Sequence, residues 1–226
     1  MEPLYLAKVS CSCCDTSFTT SRVRPSFKRQ YKTDSDFCGY YKEGINPEYY
    51  VVRVCPECGF ASTVNSTSQL SEKQRFNYWE RIGKHWRNRD YSGERTCQQA
   101  LETYKLALLC AQVIDESARV TASVLHHIAW LYRELNNREQ EVRFLRFALD
   151  AYVQVYEKEG SSLNDAKLMY LIGELNRRTG NVNDAVRWFS RIVNDKRIVD
   201  SAMIKASRDQ WQLIRSEHGT VADETA

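Results

Sequence analysis

Two cysteine pairs with the same spacing constrain the N-terminal quarter of this chain more than any other feature. Cys11 and Cys14 form the first pair, and Cys55 and Cys58, followed by Gly59, form the second. Two residues between paired thiolates allow one tight turn to aim both sulfurs at an ion about 2.3 Å away. Four thiolates close a tetrahedral sphere, which is typical of structural rather than catalytic zinc. The sequence therefore predicts a structural zinc ion held by Cys11, Cys14, Cys55 and Cys58.

Three alternatives accompany this prediction. Cys13 is a possible replacement for Cys11, although its spacing fits the turn less well. Cys38 is a further thiol, which we interpret as a packed residue beside aromatic neighbours. A redox role for one pair is the third alternative, but Cys55 follows a strand-like run and does not open a helix as such motifs do. The pairs lie about 40 residues apart, against roughly 15–20 in a compact ribbon, so a long insertion is predicted.

The composition changes near residue 68. All four prolines and six of the eight cysteines precede this point, and apolar residues recur at helical spacing after it. The sequence thus predicts an α+β two-domain protein: a small zinc-ribbon-like β domain over residues 1–68, an all-α domain over residues 69–217, and a flexible tail over residues 218–226. No secretory leader and no apolar run of about 18 residues is found, which favours a reducing cytoplasm and no membrane span.

The helical part contains an internal repeat. Large, small and large residues recur with tetratricopeptide-like spacing in three places. These are Trp79-x2-Ile82-Gly83-x2-Trp86, Leu125-x2-Ile128-Ala129-x2-Tyr132 and Met169-x2-Ile172-Gly173-x2-Asn176. The small residues lie 46 and 44 residues apart, which predicts longer hairpins than the usual unit of about 34 residues.

Each repeat is expected to continue into a second helix, and a capping helix is expected to close the stack. We expect the second helices at about 96–116, 138–157 and 182–194, and the capping helix at about 200–217. Cys97 and Cys110 fall inside the first of these helices and are interpreted as core residues. An unrelated helical bundle with chance spacing is the alternative.

Several short motifs together resemble a known bacterial family. They are Cys11-x2-Cys14-x3-Phe18, Asp34-x-Asp36-Phe37-Cys38-x2-Tyr41, Asn46-Pro47-x2-Tyr50, Cys55-Pro56-x-Cys58-Gly59, Tyr104-Lys105-Leu106-Ala107-Leu108, Ala129-Trp130-Leu131-Tyr132-Arg133-Glu134 and Tyr170-Leu171-Ile172-Gly173-Glu174-Leu175. The chain resembles the bacterial domain-of-unknown-function family 2225 over nearly its whole length. The resemblance implies a zinc ribbon with tetratricopeptide-like repeats in a bacterial cytoplasm, and it implies no reaction. The family pattern has Gly after the first cysteine pair, where this chain has Asp15.

No pattern in the chain indicates an enzyme or a small-molecule substrate. His126 and His127 are adjacent, so on a helix they point about 100° apart and do not face one ion together. The chain contains no phosphate-binding glycine loop, no zinc-protease motif and no nucleophile elbow. We therefore predict a non-enzymatic protein.

The first prediction of function is an adaptor that binds a protein or acidic peptide. Stacked hairpins form a concave groove lined by their first helices. The expected lining is Glu80, Lys84, Arg87, His126, Trp130, Arg133, Glu134, Lys167, Tyr170, Glu174, Arg177 and Arg178. Six basic residues against three acidic ones make this groove positive, with Trp130 and Tyr170 as aromatic anchors and with Trp130 and Arg177 exposed. Ordinary solvated helix charges are the alternative.

The second prediction of function is nucleic-acid binding. Residues 22–32 hold five basic residues and no acid, interleaved with Phe27 and Tyr31. The basic residues are Arg22, Arg24, Lys28, Arg29 and Lys32. The formal charge of the chain is only +3, and a solvated basic hairpin explains the same pattern, so we favour the adaptor.

Overall fold

The computed structural model describes residues 2–42, 44–159 and 165–223. Within these residues, three two-stranded antiparallel sheets precede seven α-helices. The predicted α+β class is confirmed. None of the helices in the described ranges is long and apolar enough to cross a membrane.

The N-terminal part is built from three hairpins in chain order. Strand β1 (Leu4–Ser10) pairs with β2 (Ser17–Val23), β3 (Gln30–Thr33) pairs with β4 (Gly39–Tyr41), and β5 (Arg53–Val54) pairs with β6 (Ala61–Ser62). The first cysteine pair lies in the turn between β1 and β2, and the second lies in the turn between β5 and β6. The predicted insertion therefore contains the middle hairpin.

The helices begin at polar caps and have these bounds: α1 Glu72–Arg81, α2 Cys97–Val113, α3 Ala118–Glu134, α4 Arg138–Glu159, α5 Ala166–Arg178, α6 Val182–Asn194 and α7 Ser201–Asp223. Ser71 and Thr96 form capping boxes at α1 and α2, which satisfy amide groups that have no partner inside the helix. Helices α2, α4 and α6 match the predicted second helices. Helix α7 continues past residue 217 into the predicted tail, and residues 224–226 of that tail lie outside the described residues.

Helix pairs α3/α4 and α5/α6 have the same construction. Each pair is joined by three residues, 135–137 and 179–181. Asn136 and Gly180 occupy matching positions in these loops, with φ of 54° and 90°. In each loop the next residue donates its N–H to the carbonyl five positions earlier, at 2.9 and 2.8 Å. The two helix pairs thus have the same connecting loop, 44 residues apart in sequence.

The prediction that Trp79 to Trp86 form one helix of a first repeat is wrong. Helix α1 ends at Arg81, a 3₁₀ turn covers Gly83–His85, and Trp86 is extended. Trp86 is held elsewhere: its indole packs against Gly59, and its Nε1–H donates to the Pro56 carbonyl at 2.7 Å. Trp86 therefore contacts the second cysteine turn and is not part of a longer helix α1.

One hydrophobic cluster crosses the predicted boundary at residue 68. It contains Val52 and Phe60 from the N-terminal part together with Leu101 and Tyr104 of α2, all at most 2% exposed. Two further clusters join α3 to α5 through α4, and α5 to α7 through α6. The N-terminal part and the first helices are thus fixed to one another by a shared core.

Candidate metal centre and buried charge cluster

The four predicted cysteines converge. The sulfur atoms of Cys11, Cys14, Cys55 and Cys58 all lie within 4.8 Å of one another, with Cys11 to Cys58 at 3.6 Å and Cys14 to Cys55 at 3.7 Å. A tetrahedron with metal–sulfur bonds of about 2.3 Å has sulfur–sulfur edges of about 3.8 Å. The geometry therefore fits a single metal ion with four thiolate ligands. Cys14 is the exposed member of the group, and the other three are buried.

The two cysteine turns have the same backbone conformation. Asp15 N–H donates to the Cys11 carbonyl at 3.0 Å, and Gly59 N–H donates to the Cys55 carbonyl at 2.9 Å. Asp15 and Gly59 are both left-handed, with φ of 60° and 74°. Asp15 thus forms the same turn as Gly59, since Asp tolerates this conformation better than most side chains do.

Helix α1 and the turn after it support both cysteine turns. Arg75 donates to the Cys13 carbonyl at 2.7 Å and forms an ion pair with Asp15 at 2.6 Å. Tyr78, fully buried, donates its hydroxyl to the Cys58 carbonyl at 2.7 Å. Such contacts orient the turns that carry the four cysteines, as outer-shell partners do in metal sites.

The remaining cysteines lie outside the group of four. Cys13 is buried beside it, and its N–H points to Cys11 Sγ at 3.4 Å. Burial raises the pKa of Cys38 and of Cys110 to about 12, which keeps both as thiols. Cys97 is half-buried and directs its sulfur to the Leu131 carbonyl at 3.7 Å. These placements agree with the interpretation of Cys38, Cys97 and Cys110 as packed residues.

A second cluster forms where the insertion meets the helices. Residues 34–38, which we call the docked segment, lie against α3 and α5. Asp36 is fully buried, and Arg133 binds its two carboxylate oxygens at 2.6 and 3.1 Å. Trp130 Nε1–H donates to the same carboxylate at 3.1 Å. An acidic side chain of the N-terminal part is therefore bound by a cation and an aromatic residue of α3.

Helix α5 forms the other side of this cluster. Arg178 lies 3.4 Å from the Asp36 carboxylate and donates to the Ser35 hydroxyl at 3.0 Å. The Phe37 ring packs on Tyr170, with ring centroids 5.5 Å apart. The docked segment thus contacts both α3 and α5.

Glu174 is a second buried carboxylate in this cluster. This side chain is fully buried and accepts hydrogen bonds from Ser35 at 2.6 Å, from Arg177 at 2.7 Å and from Arg178 at 2.7 Å. A buried carboxylate persists only when its charge is paired and its oxygens are hydrogen-bonded, which is the case here.

The charges in the cluster are strongly coupled. Burial opposes the ionisation of Asp36, but contacts with His126 and Arg133, and the charge of Arg178, hold the pKa of Asp36 well below its usual range. Burial lowers the pKa of His126, although its Nε2 lies 3.5 Å from the same carboxylate. A neutral His126 beside an ionised Asp36 follows, with the guanidinium groups neutralising the charge.

The predicted open groove is therefore closed along this length. His126, Tyr170 and Glu174 are at most 2% exposed, so their placement as groove-lining surface residues is wrong. Trp130 and Arg177, predicted to be exposed, are half-buried. The physical reason is that the docked segment, which is acidic, covers the positive and aromatic surface of α3 and α5.

The other predicted binding residues are dispersed. Lys84 and Arg87 lie in and after the 3₁₀ turn that follows α1, where Lys84 pairs with Glu80 at 2.6 Å. In the basic stretch, Arg24 donates to the Glu2 carbonyl at 3.1 Å, and Lys32 lies 3.6 Å from Asp34. Arg22, Lys28 and Arg29 form no ion pair within the described residues. Part of the stretch is thus engaged in intramolecular contacts.

Sequence reasoning missed the binding role of Asp34, Ser35 and Asp36. The sequence contained both parts of this contact, because the insertion carries an acidic motif and the helices were predicted to form a positive surface suited to an acidic peptide.

The chain matches the family described as an uncharacterized protein conserved in bacteria, domain of unknown function 2225, over residues 4–214. The chain belongs to this family. No curated protein and no solved structure matches it.

Proposed function

We propose that this protein is a non-enzymatic, zinc-stabilised adaptor of the bacterial cytoplasm that binds an extended partner segment. The observation that carries the proposal is a cleft of about 660 Å³ between the N-terminal part and the first helices of the two repeats, α3 and α5. We call it the peptide cleft. Sites of this size, from about 300 to 1,000 Å³, are typical of specific binding pockets.

Zinc is the ion that best suits the four cysteines. Four thiolates in tetrahedral geometry select zinc or an iron–sulfur cluster, and two turns of the present spacing are typical of zinc ribbons. A closed sphere leaves no position for water or substrate, so the metal stabilises the fold and performs no chemistry.

A tetratricopeptide-like origin of the helical repeats is supported by close packing at the small position of the α5/α6 pair. A Cβ added at Gly173 would lie 2.7 Å from Cε1 of Phe189, a fully buried residue of α6. Ala129 occupies the same position in the α3/α4 pair and is also fully buried. Small residues at this position allow paired helices to approach closely, and stacking of the pairs creates a concave surface.

The peptide cleft combines apolar and charged walls. Val124 and Leu171 contribute apolar surface, while Arg119, His127 and Lys167 contribute polar and basic groups. Asp165, the acidic residue of the lining, is paired with Arg119 at 3.4 Å. Lys167 is exposed and contacts the Phe37 ring at 4.9 Å through its ammonium group. Arg119 pairs with Asp165 and His127 lies 3.1 Å from Glu48, so Lys167 is the cation that would bind an acidic partner. The expected partner segment therefore carries an apolar side chain next to an acidic side chain or a terminal carboxylate.

A displayed library of random peptides, selected on the purified metal-loaded full chain, tests this proposal. We expect enrichment of peptides with an apolar residue beside an acidic group. Ser123→Trp, which fills the cleft, and Lys167→Glu, which reverses its charge, should each weaken the selected peptide at least tenfold. Arg146→Glu is the matched control, because Arg146 is exposed on α4 and does not line the cleft.

Two results would reject the peptide cleft. One is a library that enriches no sequence, and the other is a selected peptide that binds wild type, Ser123→Trp and Lys167→Glu equally. Nucleic-acid binding through residues 22–32 remains the alternative, with less support because Arg24 and Lys32 are engaged within the chain.

A further inference from the structure

A small hollow on the N-terminal part collects three cations. Arg22 comes from β2, Lys28 follows the 3₁₀ turn at Pro25–Phe27, and Arg53 comes from β5. The hollow has a volume of about 160 Å³, and no carboxylate is among its lining residues. Thr20 and apolar or aromatic side chains form the rest of the wall.

These cations have no acidic partner within the described residues. Arg53 donates to two neutral acceptors, Ser62 Oγ at 3.1 Å and the Thr63 carbonyl at 3.4 Å. Arg22 and Arg53 line the same hollow, and both side chains are half-buried. A partly buried pair of like charges costs free energy unless an anion joins it.

The nearby acid does not supply that anion. Lys28 lowers the pKa of Glu48 to a small extent, but burial and a hydrogen bond with His127 dominate the ionisation of Glu48. Glu48 is occupied by His127 at 3.1 Å and by the Tyr41 hydroxyl at 2.8 Å.

A polar group in the wall also lacks a partner. Thr20 is 3% exposed, and its hydroxyl forms no hydrogen bond among the described atoms. Alternation along β2 places Thr20 on the same face as Arg22. Buried hydroxyl groups rarely lack a hydrogen-bond partner, which in other proteins is often an ordered water or an ion.

We propose that this hollow binds one phosphate group, held by Arg22 and Arg53 with Lys28 at the rim. Planar guanidinium groups match the oxygen geometry of phosphate and bind it through paired hydrogen bonds. A hollow of about 160 Å³ has room for one phosphate group. The phosphate is either free inorganic phosphate or part of a single-stranded nucleic-acid backbone. The site is distinct from the peptide cleft, although Val51 lines both.

Two titrations of the metal-loaded full chain test the site. The first uses inorganic phosphate, followed by calorimetry and by the thermal midpoint against chloride at equal ionic strength. The second uses a labelled oligothymidylate of about 12 nucleotides at about 50 mM salt, where phosphate contacts are strong. We expect Arg53→Met to abolish phosphate binding and Lys28→Gln to weaken it about tenfold, the scale of one charge-assisted hydrogen bond. Arg146→Gln removes an exposed charge of α4 that does not line the hollow, so it should leave phosphate binding unchanged.

The outcomes separate the sources and can reject the site. Phosphate binding without oligonucleotide binding identifies free phosphate as the ligand. Oligonucleotide binding that phosphate displaces, and that falls by about one power of salt concentration for each contact, identifies the nucleic-acid backbone. Equal binding by wild type, Arg53→Met and Lys28→Gln overturns the proposal, as does the absence of binding to either ligand. Lys28 is exposed, so Lys28→Gln keeps the test valid even if Arg53→Met fails to fold.

Discussion

Removal of the Arg133 guanidinium should destabilise the protein more than removal of any exposed arginine. Arg133 binds Asp36 with two N–H groups, and it also contacts Asp34 at 2.9 Å and Glu141 at 2.7 Å. Asp36 is fully buried and Glu141 is 3% exposed. Arg133→Met therefore leaves negative charge in a site that water does not reach.

The expected loss is about 3–5 kcal/mol, the usual cost of removing one partner from a buried ion pair. For a chain of this size, 1 kcal/mol shifts the thermal midpoint by about 2–4 °C. Arg133→Met should thus lower the midpoint by about 6–20 °C in thermal unfolding followed by circular dichroism. Arg187→Met is the control, because Arg187 pairs with Asp184 while 80% of its side chain is exposed. That pair should contribute less than about 1 kcal/mol.

A double variant tests the assignment to Asp36. Asp36→Asn with Arg133→Met should lose at least 1 kcal/mol less than the sum of the single variants, since each single change already removes the interaction. A midpoint for Arg133→Met within about 2 °C of that for Arg187→Met would refute the buried ion cluster and the docking of residues 34–38.

Further outcomes follow from pH and from close packing. Because the pKa of Asp36 is depressed in the folded state, its ionised carboxylate stabilises the fold at pH values above about 4, the ordinary Asp pKa, and this stabilisation is lost as the pH falls below that value. In denaturant unfolding from pH 6 to pH 3, the free energy of unfolding should therefore decline more steeply for wild type than for Asp36→Asn. Parallel curves would contradict this. Gly173→Ala should cost about 1–3 kcal/mol by overpacking Phe189, whereas Gly93→Ala, which meets open space, should cost less than about 0.5 kcal/mol in the same assay. Gly59→Ala forces a side chain into a left-handed turn and against Trp86, so it should lower metal retention after dialysis against a chelator; unchanged retention would exclude Gly59 from supporting the metal site.

Local spacing in the sequence predicted the features that depend on local geometry. The cysteine pairs converge because each lies in the short turn of a hairpin, and the same turn forms with Asp15 as with Gly59. Helices α2 to α7 follow apolar periodicity closely, since burial of one face per helix is a repeating constraint. Ala129 and Gly173 are buried where the repeat pattern places them.

The spacing of residues in the sequence did not predict which distant residues contact each other. Trp86 has the position of a repeat residue, but its indole is used to cover the Cys55–Cys58 turn, and helix α1 stops before it. Arg133 and Trp130 were recognised as ligands for an acidic peptide, yet the sequence does not reveal that Asp36, almost 100 residues earlier, is that acidic group. Such choices depend on which surfaces meet after folding, and no local pattern records them.

Metal analysis of the purified chain and two matched serine variants tests the zinc centre most directly. Wild type should contain about one zinc ion per chain. Cys55→Ser should lose most of it, because a ligand is removed and metal binding is coupled to folding of the surrounding turns. Cys38→Ser should keep the full content, since Cys38 lies outside the group of four. A wild type that is fully folded without metal, or a Cys55→Ser protein that retains one zinc ion per chain, would contradict the account.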